Sequence, residues 1–223
     1  MFTDLLKNIF DNEFFIKLKE QQKEIDELSG MMNKTMRKLS LHGWYISATI
    51  EVATLISLME NIKKGDTGKV DNTMKLHYDS NFDTIITDLS KSFFDRKEIF
   101  AQAAKAHKLK MYYASISLFL SQADGICKGY LFILKNEKKN LKKEISKFNS
   151  STLKEVLEVI MNESAIDAPY SNRTKYPSKL NRHSVFHGLD KEYGTNLNSL
   201  KALSLLTFIG DFFNRYRKQD VRN

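Results

Sequence analysis

The residues best suited to chemistry lie together, in Asn181-Arg182-His183-Ser184-Val185-Phe186-His187-Gly188. Two of the chain's five histidines and an arginine fall between positions 182 and 187, and the stretch ends at a glycine. Arginine offers a permanent, planar cation with several donors, which suits a phosphate group. Histidine exchanges a proton near neutral pH. RNA carries its own nucleophile, the 2′-hydroxyl, so cleaving it needs only a proton acceptor or donor and charge stabilisation, with no metal and no cofactor. Arg182 and His187 are a sufficient minimal set for that reaction, with His183 and Asn181 beside them in support.

Helical spacing adds a condition. Five residues of ideal helix turn through ~500°, which leaves Arg182 and His187 about 140° apart, whereas His183 and His187 share a face. Arginine and imidazole therefore meet only if the arginine's stem wraps around or if two copies of the chain contribute. Two other readings of the octapeptide stand beside the catalytic one. In the first, Arg182 forms a salt bridge and both histidines are satisfied polar groups. In the second, His183 and His187 hold a metal, although no HExxH glutamate or obvious third ligand accompanies them.

The elements that would position these groups read as helices. Only two prolines and nine glycines punctuate 223 residues, too few for an all-β chain. Residues 4–40 carry Leu18, Ile25, Met32 and Leu39 at intervals of seven, as one or two amphipathic helices. Gly30, with Gln21 and Thr35, argues against a coiled-coil seam. The helical period continues from Trp44 to Ile62, and Lys63 to Gly68 reads as a loop. Phe82 to Phe93 is a further helix, and Asp95 is placed to cap one over Arg96 to Lys108. Met111 to Leu134 is the expected central, most buried helix, and Gln122 and Asp124 within it must be paired if buried. Residues 153–161 read as helical. Asn162 to Ser178 reads as a long loop delivering Arg173, Lys175 and Lys179, candidate RNA contacts, to a short helix capped by Ser178 and stopped at Gly188. Thr195 or Asn196 opens the last helix, striped by Leu200, Leu203, Leu206, Ile209 and Phe213.

Charge is unevenly distributed. Residues 1–127 hold 17 basic and 17 acidic side chains, while residues 128–223 hold 18 and 10, so the whole excess of +8 lies in the part that contains the octapeptide. A polyanion such as RNA fits that asymmetry, and a solubilising surface fits it equally. The basic run Lys138–Lys143 reads first as a solvated face. The single cysteine, Cys127, excludes an internal disulfide and reads as a buried, inert thiol. Arg96 and His107 read as structural, and Tyr193 as a packing residue. The start, Met1-Phe2-Thr3-Asp4, lacks a basic leader and an apolar run, and the most apolar window is interrupted by charges. The expectation is a cytoplasmic protein with no membrane span.

Arg182-His183-x-x-x-His187 resembles the R-x(4–6)-H signature of the HEPN superfamily in its form with a polar residue after the arginine. The context is similar as well, with Arg96, Ala106-His107, Tyr113, Ser121-Gln122-Ala123-Asp124-Gly125 and then Tyr193-Gly194-Thr195 before an apolar final helix. The resemblance covers roughly residues 90–215. It implies an all-α, HEPN-like helical bundle that dimerises and brings two motifs into one cleft. It further implies metal-independent cutting of RNA to a 2′,3′-cyclic phosphate, in toxins or antiphage effectors, in some cases with an antitoxin or defence-system partner protein. Arg182 would then stabilise the phosphate and His187 act on the proton, with His183, Asn181, Gln122 and Asp124 supporting. The division expected is an N-terminal helical extension over 1–65 and a HEPN-like domain over 81–218. A non-catalytic HEPN-like module that binds a protein or nucleic acid is the alternative.

Overall fold

The computed structural model describes residues 12–46, 49–127, 160, 164–168, 172 and 175–220, and within them it is all-α, with no strand. Eight α-helices follow in order: α1 (Asn12–Leu41), α2 (Val52–Lys64), α3 (Thr67–Ser80), α4 (Phe82–Ser92), α5 (Lys97–Lys108), α6 (Tyr112–Ile126), the short α7 (Arg182–Phe186) and α8 (Asn196–Asp220). A 3-10 turn, Phe94–Arg96, joins α4 to α5. None of the described helices is long and apolar enough to cross a membrane.

The helix ends follow local chemistry. Gly65 stops α2 at φ 72°, a left-handed conformation that glycine adopts without steric cost. Asp66 then caps α3, its carboxylate accepting from the Lys69 N–H at 3.0 Å. The expected loop over 63–68 is therefore little more than a two-residue junction, and Thr67–Ser80 is a helix that the hydrophobic period does not single out. The helix expected from Trp44 to Ile62 begins only at Val52. Gly43, at φ 82°, turns the chain after α1, and Trp44 drops into the core instead. Its indole N–H donates to Asp71 at 2.6 Å and its ring stacks on Tyr78 at 5.9 Å. Two further boundaries move. Asp95 lies in the 3-10 turn and makes no cap bond, so α5 starts at Lys97. Thr195 does cap α8, its hydroxyl accepting from the Asn198 N–H at 3.1 Å.

α6 lies between α5 and α8 and makes its most extensive contact with α8. The two share the centre, and of the helix expected over Met111 to Leu134 residues 128–134 lie outside the described residues. The most thoroughly buried run is in α8, where every residue from Lys201 to Gly210 is buried. One hydrophobic cluster extends from Met36 and Leu39 of α1 through Leu58, Met74, Phe100 and Phe119 to Leu206 and Ile209. Burial of this many side chains, each contributing about 1.5–3 kcal/mol, is the main stabilising term. The expected helix over 153–161, apart from buried Ile160, and the basic run 138–143 lie outside the described residues.

Candidate functional site

The octapeptide forms a single helical turn set against α6, and its cap is Asn181 rather than Ser178. Asn181 is fully buried. Its carbonyl oxygen accepts from both the N–H and the hydroxyl of Ser184, each at 2.7 Å. Its amide donates to the carbonyls of Ala165 at 2.5 Å and Ala168 at 2.9 Å. The Arg182 N–H adds a bond to the Ile166 carbonyl at 3.1 Å. Asparagine suits this place because it combines a cap acceptor with two donors. Expected among the supporting chemical residues, Asn181 is spent on holding the turn. Ser178, the cap expected from the sequence, accepts instead from the Leu180 N–H at 3.3 Å. At the far end Gly188, at φ 66°, takes the left-handed conformation expected of a terminator, and Leu189 N–H returns to the Ser184 carbonyl at 2.9 Å.

This short turn divides its side chains between two sides. Ser184 and Val185 are buried, whereas His183, Phe186 and His187 are exposed. The two imidazoles lie side by side, their centroids 4.2 Å apart with planes inclined at 53°, as positions four apart on one helix face require. Arg182 turns the other way. Its side chain is 27% exposed and meets Asp124 of α6 at 3.8 Å, and its guanidinium sits 5.9 Å from the centre of the Phe186 ring. Arg182 is thus paired with Asp124 and Phe186, and by helical spacing lies ~140° from His187.

Asp124 is a weakly stabilised partner. Burial raises its carboxyl above the usual range, and the Arg182 charge opposes that shift without cancelling it. One carboxylate oxygen faces Arg182, and the other is buried without a hydrogen bond to a described residue. Gln122, for which the sequence leaves open both a structural hydrogen bond and a supporting place at the site, makes the structural bond. Its side-chain oxygen accepts from Arg96 Nη1 at 2.7 Å, and Arg96 Nη2 also donates to the Gly125 carbonyl at 3.1 Å. Arg96, read from the sequence as structural, is bonded as a structural residue here. Gly125 makes room for it, since a Cβ there would lie 2.6 Å from Arg96 Nη1. Two guanidinium groups therefore approach the last turn of α6, where the helix dipole favours cations. Nearby Cys127 is buried, and burial foremost, with Asp124 second, raises its thiol well above the usual range, so it is inert as expected.

The remaining candidates separate. Lys175 and Lys179 are exposed in the approach to the octapeptide, and Arg173 lies outside the described residues. Tyr193 packs edge-on against Tyr113 at 5.0 Å, and Tyr113 Oη donates to the Lys191 carbonyl at 2.9 Å, tying the segment after Gly188 along α6. No group of three or more His, Cys, Asp or Glu side chains suited to a metal occurs among the described residues. A cleft of about 260 Å³ lies between the ends of α1 and α2 and the start of α3, and no residue of the octapeptide lines it.

His107 is structural, as expected. It is 8% exposed, its Nδ1 lies 2.8 Å from Ser199 Oγ, and Phe82 stacks on it at 4.5 Å. Burial lowers its pKa, opposed by Asp79 and reinforced by Lys75 and Lys108, and burial likewise lowers His42 and His77. All three remain neutral in the fold at a pH where an unfolded chain would bind protons. The unfolded state therefore takes up more protons below pH ~6.5, and stability falls with acidification through that point towards the lowered values. Urea unfolding should show a lower midpoint at pH 5.5 than at pH 7.5, and a flat profile would contradict this account.

No family model matches the chain, and neither a curated protein nor a solved structure matches it.

Proposed function

We propose that this protein is a metal-independent endoribonuclease of the HEPN type, a toxin or antiphage effector acting at a site shared by two copies of the chain. The observation that supports it best is the pair of exposed imidazoles 4.2 Å apart on a turn that also carries Arg182. In this reading His187 takes the proton from the 2′-hydroxyl, the 2′-oxygen bonds to phosphorus, and the 5′-oxygen leaves and is protonated. Arg182 stabilises the charge that builds on the phosphoryl oxygens, and His183 orients its neighbour. Because Arg182 is paired with Asp124 and lies ~140° from His187 along the helical turn, in this reading the arginine serving one His187 comes from a second protomer.

The test is cleavage of single-stranded RNA by purified protein in EDTA, with fragment ends analysed. Cutting that persists in EDTA and leaves 2′,3′-cyclic phosphates supports the reading, and no cutting by wild type counts against it. Mixing the Arg182→Ala and His187→Ala proteins should restore part of the lost activity, because a mixed dimer retains one complete shared site.

A second reading has its own support. Phe186 and Leu189 are both 46% exposed beside the imidazoles, while Arg182 is held by Asp124. An apolar surface flanking an anchored arginine suits a non-catalytic module that docks a partner protein or nucleic acid. That reading expects Arg182→Ala and His187→Ala to leave function unchanged and Phe186→Glu to abolish binding.

A further inference from the structure

The segment that leaves α1 contains an unexplained buried hydroxyl. Tyr45 is 3% exposed and its ring leans on Phe208 at 6.1 Å. Its backbone is fully bonded, the N–H donating to Ser204 Oγ at 3.3 Å and the carbonyl accepting from Tyr78 Oη at 2.6 Å. The phenolic oxygen is different. It is buried and has no hydrogen-bond partner among the described residues. A buried hydroxyl left unbonded is costly, and such groups are normally satisfied by an internal water when the protein offers no partner.

Tyr45 lines a cavity of about 10 Å³, close to the space one water requires. The other polar side chains of that wall are Ser40, Ser178 and Lys201. Ser40 donates its proton to the Arg37 carbonyl at 2.8 Å, which leaves its oxygen able to accept. Ser178 accepts from Leu180 N–H, which leaves its proton to give. Lys201 also lines the wall, its ammonium held by Asp71 at 3.3 Å. The residues of this wall thus offer two hydroxyl donors and one acceptor, within the two to four polar partners that a buried water needs. Ala165 and Ile166 also line it, and their carbonyls are the ones that hold the Asn181 amide and the Arg182 N–H.

We propose that this cavity binds one internal water, which accepts from the Tyr45 and Ser178 hydroxyls and donates to Ser40 Oγ. Through it the segment following α1 braces the base of the octapeptide. This gives the N-terminal helical part a role in shaping the turn, and it does not depend on the ribonuclease reading.

Tyr45→Phe in the full chain deletes the hydroxyl and keeps the ring. If the water is present, its loss or lost bond lowers Tm by about 2–4 °C, and hydrogen exchange at the Arg182 amide accelerates several-fold. If the hydroxyl is truly unbonded, Phe removes a penalty and Tm rises. A raised or unchanged Tm overturns the proposal. Ser178→Ala probes the opposite wall. With a shared water the double variant loses clearly less than the sum of the single losses, and strict additivity overturns the proposal as well.

Discussion

His187→Ala is expected to lower EDTA-resistant RNA cleavage by at least about 100-fold while the fold stays intact, because general acid–base groups contribute typically 10²–10⁴-fold. His187 is well placed to separate chemistry from structure. It is exposed, it follows the last helical residue of α7, and the backbone bond from its N–H to the His183 carbonyl, at 3.1 Å, survives the substitution. Exposed positions of this kind usually change stability by no more than about 0.5 kcal/mol, so Tm should stay within a few degrees of wild type. His183→Ala should cost less activity, since its ring stands beside His187 and the proposed mechanism gives it only an orienting role. Initial rates of fluorescent RNA cleavage, read beside thermal melts, make the comparison. Full activity in His187→Ala would remove this residue from the mechanism, whatever other residue performs the cutting.

Asn181→Ala should produce the opposite pattern, a large loss of stability that takes the octapeptide's shape with it. The cap bond to the Ser184 N–H contributes about 1–2 kcal/mol, and the carbonyls of Ala165 and Ala168 lose buried donors at about 1 kcal/mol each. The sum is roughly 3–4 kcal/mol, which corresponds to a fall in Tm of about 10 °C for a chain of this size. Asn181→Asp is the sharper variant. It retains the acceptor for Ser184 but turns a carboxylate towards two carbonyl oxygens, so it should be no better than alanine. Both are measured by thermal melts, with hydrogen exchange at Ser184 as the local readout. A Tm within about 2 °C of wild type for Asn181→Asp would show that the donated bonds carry little weight.

Much of the helical architecture is legible in the sequence, because its causes are local. Hydrophobic period locates α4, α5 and α8, and the left-handed turn at Gly188 and the cap at Thr195 are readable from single residue types. The angular separation of Arg182 from His187 is equally local, since it depends only on spacing along a helix. Helix boundaries fail where a distant partner overrides the period. Trp44 leaves the helical pattern because Asp71, 27 residues away, accepts its indole proton and Tyr78 takes its ring.

The candidate site divides along the same line. Its residue types and its surface pair of histidines follow from eight consecutive positions, so they can be read in order along the chain. Partner choice cannot, because it depends on which groups the fold removes from water together. Asn181 satisfies carbonyls 16 and 13 residues before it, and Gln122 meets Arg96 rather than the octapeptide. Asp124 meets Arg182, and Lys201 is buried against Asp71 and Trp44 within the buried run of α8. Once buried, a polar group must find a partner or bear the full desolvation penalty. Packing of α6 against α7 and α8 therefore decides which of these side chains hold the structure and which, His183 and His187 foremost, remain exposed at the surface.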